Sequence, residues 1–479
     1  MILVALPVTA LVAAAVAALR PWTNLPRMAT AVAGVLEFLI TLDVAIRVGQ
    51  GATLQVPAAG IGVDGLAAVL LLLQGFVGMT ASLYSWGYIR QLTEANRDRE
   101  RWYHVNLNLF LASLFVVPLL LVPALAWVAV ELTTVLSIFL VALENHHAAL
   151  EAAWKYAVIT IMGATAAALG IFLLLWGLSM RAPAAPQTWS AIIAAGPHMP
   201  APLVRLAFVL IVIGFGTKVG FVPLHTWLPD AHSQAPTPVC ALLSGVEVST
   251  ALYMILRLWP VFTTSPGFPA ATWAIVIGLV SVGTAAFLLV QVHDYKRLFA
   301  FSTVEHMGIL LAALGFGPLG AYAAIYQLLT HGLTKSLAFY TSGGVLIRTG
   351  TRDISEIRGL MQFAPWEGWS LLLAGLAIAG APPFAVFLSE FSVVRSAYAV
   401  HDYWAIGLLL GFLLIAFLGI LWQLTKMLFG TPHSDRRARS PRSLPLTVAL
   451  SAVPVVLLGV YLPAPLHHLF QMAAMNLRR

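Results

Sequence analysis

Charged and titratable residues sit inside long apolar stretches of this 479-residue chain, among them Glu131, Lys218, Glu247, Glu305, His331, Lys335 and Glu390. A charge in the hydrocarbon core of a bilayer costs about 2.5–3.5 kcal/mol even on lenient insertion scales, so such residues are functional candidates by default. They read as stations on an ion path. Glu131 lies in WVAVELTTVLSIFLVAL, an otherwise uncharged run, and Lys218 lies two spans later in GFGTKVGFVPLHTWLPDAH. Opposite charges that meet inside a membrane each hold the other ionised. Such a pair can be tuned, because separating the partners frees a proton. The bland alternative is a static ion pair that locks helix packing, and buried pairs are weak evidence for stability.

His331 and Lys335 stand at i and i+4 in IYQLLTHGLTKSLAFY, on one helix face, with Tyr326, Gln327, Thr330, Thr334 and Ser336 around them. This polar stripe suits water and proton relay, since histidine titrates near neutrality. Glu305 and His306 interrupt RLFAFSTVEHMGILLAAL, where Glu305 can compensate a lysine or serve at a helix end. Glu247 and Ser249 lie in LLSGVEVSTALYMIL. Glu390 is a candidate terminal carrier, or else a surface charge beyond its span. His225 and Asp230 are placed to guard an entrance, and Trp227 reads as packing. Glu37 and Asp43 are lower-grade candidates whose plainer role is contact with a partner subunit. The adjacent His146 and His147 lack a third metal ligand. GFGTKVG has neither GxGxxG nor P-loop spacing. No hydrolase triad, HExxH or haem-attachment motif is present.

The elements that must position these residues are apolar helices. The chain is 60% hydrophobic and only 9% charged, against about 25% charged in soluble domains. That composition predicts an all-α polytopic membrane protein. The net charge of +7 is scattered over short loops, which signals topology rather than nucleic-acid binding. Cys240 is the sole cysteine, so an internal disulfide and cysteine-ligated clusters are excluded. With roughly 20 apolar residues per span, fourteen helices are expected, at 1–20, 29–48, 62–84, 105–122, 124–143, 154–178, 202–228, 235–258, 270–292, 296–316, 318–348, 366–399, 403–430 and 443–463. The first, lacking a basic leader, reads as a retained span. With the N-terminus outside, 17 Lys and Arg fall on the inner side and 7 on the outer, of 26 in all, leaving Lys218 and Lys335 mid-membrane. This bias places both termini outside.

Two spans break their own pattern. The seventh carries Gly214, Gly216, Gly220 and Pro223 around Lys218, and the twelfth carries Gly380, Pro382 and Pro383 ahead of Glu390. Proline removes a backbone donor, and freed backbone groups survive in lipid only where protein or a wet cavity satisfies them. Paired interruptions in two halves point to a transporter site. The expected organisation is residues 1–104 as three N-terminal helices, 105–258 as a first five-helix repeat, 270–430 as a second, inverted one, and 443–479 as the last helix and tail. Within it Glu131 matches Glu305, Lys155 matches Lys335, and Lys218 matches Glu390.

The strings KVGFVPLHTWLPDAHSQAPTPVCALLSG, DYKRLFAFSTVEHMGI, HGLTKSLAFYTSGG and GAPPFAVFLSEF carry a resemblance. They resemble the antiporter-like membrane subunits of respiratory complex I, multisubunit cation/proton antiporters and membrane-bound [NiFe] hydrogenases. EHMG, and ELTTVLS around Glu131, look most like component F of hydrogenase-4 and formate hydrogenlyase-type complexes. The resemblance spans roughly residues 60–430. It implies fourteen helices, two inverted repeats and a hydrated axis of lysine, histidine and glutamate. On that axis Glu131, Lys218, Lys335 and Glu390 match family positions. Where many relatives carry a lysine in the eighth helix, this chain has Ser249, with Glu247 two residues earlier, so the central relay is expected to differ there. The long lateral helix of the largest complex I subunit is not expected, because the chain ends 16 residues after the last span.

The resemblance implies a proton-translocating subunit of a redox-driven complex in a prokaryotic inner membrane. Its expected partners are other membrane subunits of the same family and a peripheral redox arm. Iron–sulfur centres, and in hydrogenase-type complexes a [NiFe] centre, belong to those partners; none is expected in this chain. The expected path runs through Glu131, Lys218, His225, Glu247, Glu305, His306, His331, Lys335 and Glu390. Two rivals are a subunit of a Na+/H+ antiporter and a membrane anchor for a carbon-handling complex.

Overall fold

The computed structural model describes residues 2–19, 24–93, 96–432, 441 and 443–477. Arg20, Arg436, Arg437, Arg439, Arg442, Arg478 and Arg479, which contribute to the charge bias, lie outside them. The chain opens with α1 (Ile2–Leu19) and α2 (Leu25–Gly49). A small antiparallel hairpin, β1 (Leu54–Val56) and β2 (Ile61–Val63), then leads into α3 (Gly65–Leu92). Asp64 starts α3 by accepting the Ala67 amide at 3.0 Å, and Asn96 starts α4 (Arg97–Leu119) by accepting the Arg99 amide at 3.1 Å. Such caps satisfy amides that a helix leaves unpaired. The cap at Asn96 explains why α4 begins eight residues before its apolar run.

Next come α5 (Pro123–Val141), α6 (His147–Arg181) and the short α7 (Trp189–Ala195). The expected seventh span is split. α8 (Ala201–Val219) stops one residue after Lys218, where Gly220 takes a left-handed φ of 90°, and α9 (Trp227–Gln234) resumes after a seven-residue connection. A β-carbon at Gly220 would meet Leu228 at 2.6 Å, so glycine is needed there for space as well as for conformation.

The eighth span also differs from a plain helix. α10 (Thr237–Leu242) passes through a π turn at Leu243–Glu247 into α11 (Val248–Thr263). Single π turns inside α-helices are frequent at functional sites. α12 (Ala270–Gln291), α13 (Tyr295–Gly315) and α14 (Gly317–Thr349) follow, then the short α15 (Leu360–Phe363). The twelfth span is broken as expected. α16 (Pro365–Ile378) ends before Gly380, which has φ 72°, and α17 (Ala385–Ala399) begins after the two prolines. α18 (Tyr403–Leu428), α19 (Ser443–Val460) and a final α20 (Ala464–Met475) complete the chain. α20 was not expected. It packs against α3, and its backbone at Ala473 comes so close that a β-carbon on Gly65 would lie 2.7 Å away.

Twelve helical stretches among the described residues are long and apolar enough to cross a membrane. The two remaining expected spans are α14, which is long but carries the polar stripe, and the interrupted α16–α17. The protein is an all-α polytopic membrane protein. α10–α11 is wholly buried at its centre, and α3 and α13 nearly so. α1, α18 and α19 are peripheral and expose Leu11, Leu414, Leu418, Leu446 and Val453, an apolar surface suited to lipid.

Candidate functional site

Lys218 comes last but one in α8, where the helix must end, so its side chain is fixed against a broken backbone. Trp227 buttresses the break by donating its indole N–H to the Thr217 carbonyl at 2.8 Å. The Lys218 ammonium is buried and forms an ion pair of 2.8 Å with Glu247 Oε1. It also donates to the Val130 carbonyl at 3.4 Å and to Thr134 Oγ1. The same Glu247 oxygen accepts from Tyr156 at 2.8 Å, Thr133 at 3.2 Å and Ser137 at 3.3 Å. Oε2 of Glu247 is buried without a hydrogen-bond partner.

The acid that meets Lys218 is therefore Glu247, not Glu131. Glu131 is half-buried and, among the described residues, makes no hydrogen bond or ion pair. Helical phase is the reason. Val130 and Thr134 share the face of α5 that touches Lys218, and Glu131 lies beside that face. Glu247 sits in the π turn, one element away in space but 29 residues on in sequence.

The π turn also joins the two halves of the site. Gly245 and Gly332 let it press against α14: a β-carbon on Gly332 would lie 2.6 Å from the Gly245 carbonyl. At this crossing His331 Nε2 meets the Ser244 carbonyl at 3.1 Å and must be the protonated nitrogen. His331 Nδ1 is buried and unpaired. The Ser244 hydroxyl bonds Thr303 of α13 at 2.6 Å.

Beyond the crossing, the rings of His331 and His306 lie 5.1 Å apart. His306 Nε2 donates to the Ile378 carbonyl at 3.1 Å, at the end of α16, and its Nδ1 accepts from Gln327 Nε2 at 3.0 Å. Ser389 donates to Gln327 Oε1 and bonds Thr330 at 2.8 Å. Glu390 follows Ser389 on α17. It is buried, with its carboxyl against the backbone of Gly380 in the break. A surface position for Glu390 is thereby overturned. Burial likewise places Glu305 inside the bundle.

Lys335 is wholly buried one turn after His331. It donates to the Phe299 carbonyl at 2.7 Å and to Ser302 Oγ at 2.5 Å. Glu305 lies one turn after Ser302 on α13, and its Oε2 is buried without a partner. No ion pair joins Glu305 to Lys335 among the described residues. Lys155, matched to Lys335 from sequence, sits in a different setting. It is exposed at one end of the bundle, bonded to Glu151 at 2.7 Å and Asp230 at 3.2 Å; Arg297 also pairs with Asp230. His225 lies half-buried in the turn between α8 and α9, near Phe301. His146 caps α6 by accepting the Ala149 amide at 3.2 Å.

At the opposite end Asp64 pairs with Arg257 of α11, its Oδ1 accepting from Nη2 at 2.9 Å. Burial opposes the Asp64 charge, but the guanidinium and the Ala67 amide hold its carboxyl below the ordinary carboxylate value. The pair borders a cavity of about 510 Å³ that also reaches Gln55, Thr188, Trp189 and Asn476.

The buried groups thus form a line from Glu247 and Lys218, through Ser244, His331 and His306, to Gln327, Ser389 and Glu390. Sequence reasoning did not find Tyr156, Thr133, Ser137, Ser302 or Ser389. The i, i+4 spacing of Thr133 and Ser137 beside Glu131 was a visible signal, whereas Tyr156 had none.

Residues 121–417 match the family described as NADH:quinone oxidoreductase/Mrp antiporter, TM. The chain is similar to the hydrogenase-4 component F homolog of Methylacidiphilum infernorum, at 36% identity over 429 residues, 87% of this chain and 88% of that protein. Its fold is similar to a chain of the membrane-bound sulfane sulfur reductase, an archaeal respiratory membrane complex. The TM-score is 0.88 at 22% identity, over 99% of this chain and 97% of that one. A chain of the Mrp complex from Dietzia sp. DQ12-45-1b is similar too, with TM-score 0.87 at 19% identity over 100% and 97% of the two chains.

Proposed function

From the premise that this chain belongs to the NADH:quinone oxidoreductase/Mrp antiporter membrane family, we propose that it translocates protons as a subunit of a redox-driven complex, hydrogenase-4-like or complex I-like. The observation that carries this reading is the buried Lys218–Glu247 pair at the head of a line of titratable and hydroxyl groups ending at Glu390. Lys218 is the switchable carrier. In the closed state its proton is held by Glu247, Thr134 and the Val130 carbonyl. The turn it rests on also bears Glu131, so a small rotation exchanges one carboxylate for the other. His331 and His306 pass the proton beyond the π turn, Lys335 and Glu305 set the local charge, and Glu390 delivers it towards the outer side.

Around this line we place the two inverted five-helix units, residues 105–258 and 270–430, after three N-terminal helices (1–104) and before the last helix and tail (443–479). Both termini face outward, and the end bearing Lys155, Asp230 and Arg297 faces the cytoplasm. His225, at the α8–α9 turn, lies between that end and Lys218. The membrane is the prokaryotic inner membrane. The partners are sister membrane subunits and a peripheral arm that holds the iron–sulfur and, in a hydrogenase, [NiFe] chemistry.

The test is Lys218→Met in the assembled complex, read as proton uptake into inverted membrane vesicles during turnover. Loss of uptake with electron transfer retained or slowed is expected; full proton stoichiometry would sink the assignment. The likeness to an Mrp complex favours one second reading, exchange of sodium for protons. It predicts sodium-dependent proton movement without any redox substrate. A parent complex that turns over without moving protons, and is unchanged by the Lys218 substitution, would instead indicate a membrane anchor.

A further inference from the structure

A second buried polar column lies outside this line, in the seam where α2, α3 and α4 meet. α2 and α4 run parallel and face each other with polar stripes: Arg27, Thr30, Glu37 and Thr41 on one, Glu100, His104 and Asn108 on the other. All seven are buried. Arg27 and Glu100 close the column at one end with an ion pair, Nη2 to Oε2 being 3.2 Å. Next, Thr30 Oγ1 donates to the Pro26 carbonyl at 2.9 Å and accepts from Asn108 Nδ2 at 2.8 Å. His104 Nδ1 lies 3.1 Å from the same hydroxyl, whose proton is already committed, so Nδ1 carries the ring proton.

That assignment leaves His104 Nε2 as a bare acceptor, and it is buried without a partner. Asn108 Oδ1, Ser82 Oγ and both oxygens of Glu37 are buried and unpartnered too. They belong to one seam. Gly34, one turn from Thr30 and from Glu37, packs so closely on α3 that a β-carbon there would lie 2.9 Å from Ser82 Oγ. A turn beyond Glu37 the column is shut, because Thr41 fills the space beside Gly75.

Orphaned buried polar groups are rare, and ordered water is their usual partner. His104 Nε2 and Asn108 Oδ1 can only accept, whereas the Ser82 hydroxyl and a protonated Glu37 can also donate, so the occupant must both donate and accept, as water does. We propose that this seam is a water-filled proton-binding column that opens behind Arg27–Glu100 and ends at Glu37, separate from the Lys218–Glu390 line. The charged and titratable groups facing it are Arg27 and Glu37 on α2 and, on α4, Glu100, His104, Arg97, which lies 4.0 Å from Glu100, and Tyr103, whose ring lies 5.2 Å from that of His104. α3 presents only hydroxyls there, α1 carries no titratable residue, and on α20 His468 binds the Gly49 carbonyl at the far end. The Lys and Arg bias puts its opening on the cytoplasmic side. The column itself does not depend on the proposed pumping role.

Infrared spectroscopy of the intact complex on transfer to D2O tests this. The expected result is a protonated-carboxyl band, absent in Glu37→Gln, that shifts rapidly in D2O. In Asn108→Leu, which plugs the column, that shift slows by at least an order of magnitude. A Glu37 band that never exchanges would make the residue sealed packing and overturn the proposal. A Glu37 carboxyl that ionises only when sodium is added would overturn it in favour of a cation site. If Asn108→Leu does not assemble, the wild-type exchange decides alone, with the band assigned by its displacement in Glu37→Asp.

Discussion

The two buried lysines are held in opposite ways. Lys218 touches a carboxylate directly, and that carboxylate collects hydroxyls from α5 and α6. Lys335 touches only a carbonyl and a serine, while Glu305 stays unpaired one turn away. Direct pairing in a low-dielectric interior is strong but must be opened before a proton can move. A lysine on neutral acceptors needs no such step. Lys218 is latched to a counter-charge, and Lys335 is not.

The largest effect should come from breaking the latch. Glu247→Gln leaves the Lys218 charge buried without its counter-charge, which typically costs about 3–5 kcal/mol. Thermal unfolding of the purified complex should show this chain giving way first, with proton movement abolished. If Glu247→Gln proves as stable as the parent, Lys218 has another partner and the comparison fails.

Lys335→Met sharpens the contrast. Only hydrogen bonds from a charged donor are lost, worth about 1.5–3 kcal/mol each and offset by removing an unpaired charge from the interior. Proton movement should fall as far as in the latch variant, while the melting temperature falls less. Equal melting losses would show that Glu305 pairs with Lys335 after all. Ser302→Ala removes one acceptor of the Lys335 ammonium and should cost roughly 1–2 kcal/mol. Translocation should slow without stopping, as vesicle acidification rates would record.

The smallest effect lies at the end bearing Asp64. Its carboxyl is held below the ordinary value by Arg257 despite burial. A depressed acid stabilises the fold above its unfolded pKa of about 3.9, and that contribution is lost as pH falls through the lower folded value. Asp64 is a third exposed, so less than about 1 kcal/mol is at stake. Asp64→Asn should therefore flatten the acid limb of a stability profile while leaving neutral-pH proton movement unchanged. A destabilisation that is as large at low pH as at neutral pH would mean that the side chain acts by shape.

Much of the architecture was legible. The fourteen spans, both breaks and the burial of Lys218, Lys335 and His331 follow from apolar runs, glycine and proline placement, and the expense of charge in lipid. Helix ends were read short where capping residues such as Asn96 and His146 carry a helix past its apolar run. α20 was missed because 12 residues next to a polar tail do not resemble a span.

The pairing of the site was far less legible. Glu131 was the natural acid for Lys218 because both stand out in their own segments, and side chains that meet across helices leave no local mark. Sequence alone determined that this chain spans a membrane, where its helices break, and which ionisable residues the bilayer forces inward. Those properties are local, set by hydropathy and backbone chemistry over one or two turns. Only the tertiary structure decided that Glu247 meets Lys218, that Lys335 has no direct carboxylate, and that His104, Asn108 and Glu37 share a seam. These depend on helical phase, on a π turn that rotates its neighbours, and on close crossings at Gly34, Gly245 and Gly332.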